Sequence, residues 1–284
     1  MEQQGPRHEE LTSLLGAMYE RLTTVWILQT PDGRFLTGMI PIGDDNSGRT
    51  ITPFVNYLLV VANIAVFVLL QGMGANDRFT YAFSTVPQEI VSGKDVVTPA
   101  HTVRDPASGQ SFVQPGLRLT PMTVYLTLLI SMFMHGGIPH IAGNMLYLWI
   151  FGDNIENALG HLRYLTFYLV CGVLASLAHV FTTAATQGNM LVPSLGASGA
   201  ISGVLGGYML LFPGRRVRMS MGRGTTEMPA WVSIGMWFLF QVVAGMGLLG
   251  GGSQAGGVAY AAHVGGFIAG LILVKMFAAG QASR

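Results

Sequence analysis

Four side chains suited to hydrolytic chemistry lie inside apolar runs of this sequence: Ser198, His263, His140 and Asn144. A serine hydroxyl is a poor nucleophile until a base takes its proton, and a positioned imidazole is the usual base near neutral pH. Ser198 and His263 could form that pair. Asn144 stands four residues after His140, so both occupy one helix face and can donate hydrogen bonds toward a common point. Donors so placed could stabilise the oxyanion formed when a serine attacks a carbonyl. The apolar runs that carry Ser198 and His263 hold no carboxylate, which makes a dyad the simpler reading and avoids burying an anion.

Each of these residues also has a structural role open to it. Gly196-Ala-Ser-Gly199 is a stretch of small residues that could serve close helix packing, and Asn144 could be interhelical glue. A lone histidine in a membrane helix is often a satisfied core residue. Their joint occurrence at one depth favours a site. His135, His161 and His179 lie at loop or helix ends and read as structural. Other hydrolytic chemistries lack their parts. There is no HExxH for a zinc protease, Asp153 has no membrane partner for an aspartyl dyad, and Ala200 occupies the last position of what would be a GxSxG elbow. Neither a metal nor a cofactor is expected.

The elements that must position these groups are apolar helices. Half of the 284 residues are hydrophobic and 10% are charged, against about 25% charged in a typical soluble domain. A net charge of +1 leaves no basic face for nucleic acid. The single cysteine, Cys171, sits in an apolar run and reads as a small buried hydrophobe. A bilayer core needs about 20 mostly apolar residues per helix, fewer when a helix is buried among others. Six runs qualify: Phe54 to Gly72, His140 to Ile155, Leu162 to Thr182, Leu195 to Phe212, Pro229 to Leu249 and Val258 to Ala279. Arg215, Arg216, Arg218 and Arg223 follow the fourth run and Arg163 precedes the third, so positive charge places both termini in the cytosol. The second, fourth and sixth helices then run inward, and the four polar side chains share one layer near the outer surface.

Other segments read as accessories. The long outer first loop, Met73 to Pro121, leads into Val124 to Met134, which is too short to span and is expected to be interfacial or re-entrant. Residues 1–50 form a more polar cytosolic segment with Leu11, Leu14, Leu15, Met18, Leu22 and Val25 at helical spacing, and 51–284 form the membrane domain. The opening MEQQGPRHEE is neither a secretory signal nor a transit peptide, so mature cytosolic sequence is expected there. The fifth run, with Trp231, Trp237 and Phe240, is expected to be a mobile gate, with lipid-facing aromatics as the alternative.

In four pieces the sequence resembles the rhomboid family. They are His135-Gly-Gly-Ile-Pro-His140-Ile-Ala-Gly-Asn144, Gly152-Asp-Asn-Ile-Glu156-Asn-Ala-Leu-Gly160, Gly196-Ala-Ser-Gly-Ala-Ile-Ser-Gly203 and Ala262-His263-Val-Gly-Gly266-Phe-Ile-Ala-Gly270. The resemblance implies an all-α, six-transmembrane-helix bundle that cleaves transmembrane segments of other proteins. Ser198 would be the nucleophile and His263 the base, and His140 and Asn144 would line the oxyanion site. Glu156 would brace helix and loop, Gly196 and Gly199 would flank the nucleophile, and Gly266 and Gly270 would let the sixth helix approach the fourth. A bacterial cytoplasmic membrane is the expected location, with membrane lipid and transmembrane proteins as partners. A catalytically inactive rhomboid-like chaperone or trafficking factor that binds transmembrane helices is the alternative. Two features depart from familiar members: Leu126-Thr127 stands where many have Trp-Arg, and Ser202 stands where some carry an aromatic ring. The second leaves no obvious ring to stack on His263, so its orientation must come from helix packing or another partner.

Overall fold

The computed structural model describes residues 40–104, 111–220, 224–246 and 259–279, together with a short ladder between β1 (Leu28–Gln29) and β2 (Phe35–Leu36). The amphipathic segment from Leu11 to Val25 and the glycine-rich stretch from Gly250 to Gly257 lie outside the described residues.

Each of the six apolar runs contains a helix. Helix α1 (Phe54–Ala65) carries no charged residue and continues through a π-helical turn, Val66–Leu70. Two short helices follow, α2 (Asp77–Phe83) and α3 (Pro87–Ser92), then a hairpin of β4 (His101–Arg104) and β5 (Ser111–Gln114). The segment around α4 (Thr127–Ile130) is 3-10 helical on either side and meets α5 (Ile138–Leu159) at a bend of 79°. Then come α6 (His161–Ala185), α7 (Ser198–Leu211), α8 (Ala230–Gly245) and α9 (Tyr260–Ala278). Helices α6 and α9 are long and apolar enough to cross a membrane, and the bent pair of α4 and α5 counts as a third candidate. Phe54–Leu70, α7 and α8 are apolar but shorter, at 10–17 residues.

Helix α7 is the hub, every residue from Gly199 to Tyr208 being buried. Its backbone touches that of α9, because a Cβ at Gly266 would lie 2.1 Å from the Gly199 carbonyl oxygen and one at Gly270 would lie 2.0 Å from that of Gly203. Helix α6 meets them at the same level, where a Cβ at Gly199 would lie 2.6 Å from the Ala175 Cβ. Polar side chains fasten the outer members of the bundle. Asn56 of α1 donates to the Leu148 carbonyl at 3.0 Å and accepts from the Tyr164 hydroxyl at 2.7 Å, tying α1 to α5 and α6. Only a glycine fits at 152, since a Cβ there would sit 2.1 Å from the Asn56 side-chain oxygen.

The all-α expectation is corrected to a mostly helical chain with small antiparallel sheets. Strand β6 (Arg216–Ser220) forms a hairpin with β7 (Thr225–Pro229), and β3 (Ile40–Asp44) pairs along its other edge. The sequence Arg216-Val-Arg-Met-Ser220 alternates at a strand's period of two, so Val217 and Met219 are buried against the bundle while Arg216 and Arg218 face solvent. Two of the arginines read as topology signals, Arg216 and Arg218, therefore also form the exposed face of a strand. Pro229 ends the hairpin and directly precedes α8.

Candidate active site

The four candidate side chains lie near helix starts. Ser198 is the first residue of α7, His263 the fourth of α9, and His140 and Asn144 the third and seventh of α5. Local sequence explains two of these starts. Pro139 stands in the first turn of α5, where its missing N–H costs nothing. Gly196 has φ +131°, a region closed to side chains, and a Cβ there would also approach Cε1 and Nε2 of His140 to 2.9 Å. Its amide donates to the Ser131 carbonyl at 2.9 Å, which anchors the turn on the 3-10 turn Ser131–Phe133. Thr85 and Ser194 clamp the same loop, exchanging backbone hydrogen bonds of 2.9 and 2.8 Å.

Nε2 of His263 lies 2.8 Å from Oγ of Ser198, within hydrogen-bond distance. His140 packs beside this pair, with only Gly196 between its ring and the serine. Nδ1 of His140 accepts from the Gly136 amide at 3.3 Å, so the neutral ring carries its proton on Nε2, the nitrogen turned toward Gly196. Asn144 is buried and its Nδ2 donor has no partner among the described residues. The amides of Ser198, Gly199 and Ala200 open α7 and have no carbonyl one turn back to accept them. A serine paired with an imidazole thus stands at the head of α7 beside the His140 ring, with Asn144 one turn further along α5. Ser198, His263 and His140 are all partly exposed.

Glu156 lies at the other end of α5, fully buried, and accepts from the amides of Val55 and Asn56 at 2.9 and 2.7 Å and from Nδ1 of His161 at 2.5 Å. It caps the start of α1 and touches nothing in the serine layer. His135 had read as a helix-end residue, yet it is fully buried with its ring edge-on to His140 at 5.1 Å. Among the described residues, no three His, Cys, Asp or Glu side chains cluster so as to hold a metal ion.

One contact went unforeseen. Nδ1 of His263 lies 2.7 Å from Oε1 of Gln241, on α8. The rule that singled out Ser198 and Asn144, a polar side chain inside an apolar run, applies equally to Gln241. Of the α8 aromatics, Trp231 is 59% exposed, whereas Trp237 faces inward with its ring 6.1 Å from His263 and 6.4 Å from Phe267. Ser202 turns its hydroxyl back to the Ser198 carbonyl at 2.6 Å and does not meet His263.

The order and spacing of these pieces match a known domain, the rhomboid domain, whose family model covers residues 123–280. This chain belongs to the rhomboid family. It is 30% identical over 151 residues to rhomboid protein 1, mitochondrial, of Saccharomyces cerevisiae, covering 53% of this chain and 41% of that protein. It is 38% identical over 90 residues to the human presenilin-associated rhomboid-like protein, mitochondrial, covering 32% of this chain and 23% of the relative. With rhomboid protease GluP of Bacillus subtilis it shares 33% identity over 126 residues, covering 44% and 23% of the two chains. The matched region spans less than half the length of each of these relatives. Family membership and the apolar helices make this a membrane protein.

Proposed function

We propose that this rhomboid is an intramembrane serine endopeptidase that cleaves transmembrane segments of other proteins. The observation that carries the reading is the 2.8 Å contact between His263 Nε2 and Ser198 Oγ at the head of the central helix. In this mechanism His263 takes the hydroxyl proton as Ser198 attacks a substrate carbonyl. The oxyanion that forms is met by Nε2–H of His140, the side-chain amide of Asn144 and the first amides of α7. His263 then returns the proton to the leaving amine. A water molecule, activated by the same imidazole, hydrolyses the acyl-enzyme.

The proposal includes six membrane crossings, made by α1 and by α5 to α9, with residues 1–50 and the C-terminus in the cytosol. The shorter helices α7 and α8, about 21 and 24 Å long at 1.5 Å per residue, are tolerable because they pack among longer neighbours. The serine layer then lies near the outer surface. Substrates are single-span proteins cut near that face, where a weakened helix frees a carbonyl for attack. The relatives are mitochondrial as well as bacterial, which widens the expected location beyond a bacterial cytoplasmic membrane.

The test is cleavage of a single-span reporter in proteoliposomes, together with labelling by a fluorophosphonate. The wild type should cut and be labelled, while Ser198→Ala and His263→Ala should do neither and remain folded. Equal cleavage by wild type and Ser198→Ala would remove this serine from the chemistry.

A further inference from the structure

We propose that Gln241 is the positioning residue of the Ser198–His263 pair: it accepts the Nδ1 proton of His263 and so keeps the Nε2 lone pair aimed at Ser198. The inference rests on the protease reading above. A neutral imidazole carries one N–H, and which nitrogen holds it is set by the hydrogen bond made by the other. The side-chain carbonyl of Gln241 has no proton to give. At 2.7 Å from Nδ1 it can only accept, which assigns the proton to Nδ1 and leaves Nε2 unprotonated 2.8 Å from the serine hydroxyl.

Among the described residues nothing else around the ring makes this choice. Trp237 is tilted by 36° at 6.1 Å and Tyr260 meets the ring edge-on at 6.4 Å, so neither is a stacked neighbour that would fix a proton. Among the described residues, Ser198 and Gln241 are the side chains hydrogen-bonded to His263. Gln241 is 2% exposed, so water does not compete for the bond. The chemistry also favours an amide over the carboxylate found in soluble triads. An anion in this layer would carry a large desolvation penalty, whereas an amide dipole both orients the ring and partly stabilises the imidazolium that forms.

The contact makes α8 part of the catalytic apparatus. Phe238 stacks on Phe267 of α9 with centroids 4.2 Å apart, and Gly245 lets the Tyr260 side chain approach, so α8 reaches α9 both above and below the glutamine. If α8 swings aside to admit a substrate helix, Gln241 leaves with it, and the proton-transfer pair is restored when α8 closes.

Two variants test the assignment in the full-length reconstituted protein. Gln241→Met keeps the length and removes the acceptor. It should lower kcat by about 10²-fold, the low end of what a positioned base contributes, with KM within about twofold. It should also lower the Nδ1–H population of His263, read by ¹⁵N imidazole NMR. Gln241→Glu restores an acceptor and adds a charge that favours the imidazolium. It should recover kcat at alkaline pH and move the acidic limb of the kcat/KM profile up by about one to two pH units. The other titratable side chains facing His263 are His140 of α5, His179 of α6 and Tyr260 of its own helix, and all remain in both variants. A Gln241→Met protein with wild-type kcat and tautomer would overturn the proposal, as would a Gln241→Glu profile with an unmoved limb. If Gln241→Met does not fold, the Gln241→Glu profile decides. Fluorophosphonate labelling separates the two levels: an unlabelled wild type sinks the protease reading itself, whereas a wild type and Gln241→Met labelled at equal rates sink only the role of Gln241.

Discussion

Substituting Gly266 by alanine should pry apart the serine and the histidine without touching either. The added Cβ would lie 2.1 Å from the Gly199 carbonyl oxygen and 3.0 Å from its carbon, both backbone atoms that cannot rotate away. Relief to an ordinary contact of about 3.3 Å requires α9 to retreat from α7 by roughly 1 Å. Gly199 directly follows Ser198, and Gly266 is one helical turn beyond His263. The same retreat therefore stretches the 2.8 Å contact to nearly 4 Å, beyond any hydrogen bond. Overpacking of this kind costs about 1–3 kcal/mol of stability, and a 1 Å misplacement of reacting groups costs about 10²-fold in rate. The assay is reporter cleavage in proteoliposomes, with labelling rate and thermal unfolding measured on the same preparations. Gly235→Ala is the control, because a Cβ there meets nothing within 4 Å. If Gly266→Ala cleaves at the wild-type rate, the glycine contact does not set the distance between the two helices' reactive groups, and the reasoning fails.

Asn144→Ala should lower kcat by about 10²–10³ with KM and melting temperature nearly unchanged, since its buried Nδ2 has no partner to lose among the described residues. A large fall in melting temperature with normal turnover of the folded fraction would instead make Asn144 packing glue, whose membrane hydrogen bond averages about 0.6 kcal/mol. In the loop between α1 and α4, burial and then the nearby carboxylate of Asp95 push Glu89 up to about 7, against one hydrogen bond from the Val96 amide that favours its charge. The folded state thus holds this proton more tightly than the unfolded one. Its contribution to stability, of order 2–3 kcal/mol, is complete below about pH 4.5 and is lost as the pH rises through about 7. The wild-type melting temperature should fall between pH 5 and 8 and that of Glu89→Gln should stay flatter; parallel curves would show that Glu89 ionises freely.

The parts of this architecture that the sequence exposes are those in which a physical cost is written into single residues. A serine, an asparagine and two histidines inside apolar runs stand out because lipid penalises them, and Ser198 and His263 could be paired before any coordinates. Helix limits were less visible. The fourth run reads from Leu195, yet α7 begins at Ser198, because Leu195 and Ala197 are as apolar as the helix while Gly196 takes a left-handed turn that no hydropathy pattern records. The hairpin of β6 and β7 was hidden for a different reason. Its outward residues are arginines, and in a short loop between membrane helices arginine already has an explanation in topology, which masked the period-two alternation of Val217 and Met219.

Gln241 was hidden most thoroughly, although the cost argument applies to it in full. It lies among Phe238, Leu239, Phe240, Val242 and Val243, in a run whose aromatic residues suggested a gate or a lipid-facing surface. Either reading directs attention to large side chains and treats one amide as tolerated. The amide's chemistry is informative only in combination with a histidine that lacks a carboxylate and lacks a stacking ring, and that combination was already legible: no Asp or Glu in the run of His263, and Ser202 where an aromatic side chain could have stood. A base left without an orienting ring or carboxylate must be held by helix packing or by a neutral acceptor elsewhere in the membrane. The six runs hold six side-chain amides, Asn56, Asn63, Gln71, Asn144, Asn154 and Gln241, and Gln241 is the one in the helix just before the base, so the unmet need of His263 narrows the choice to a short set that includes it.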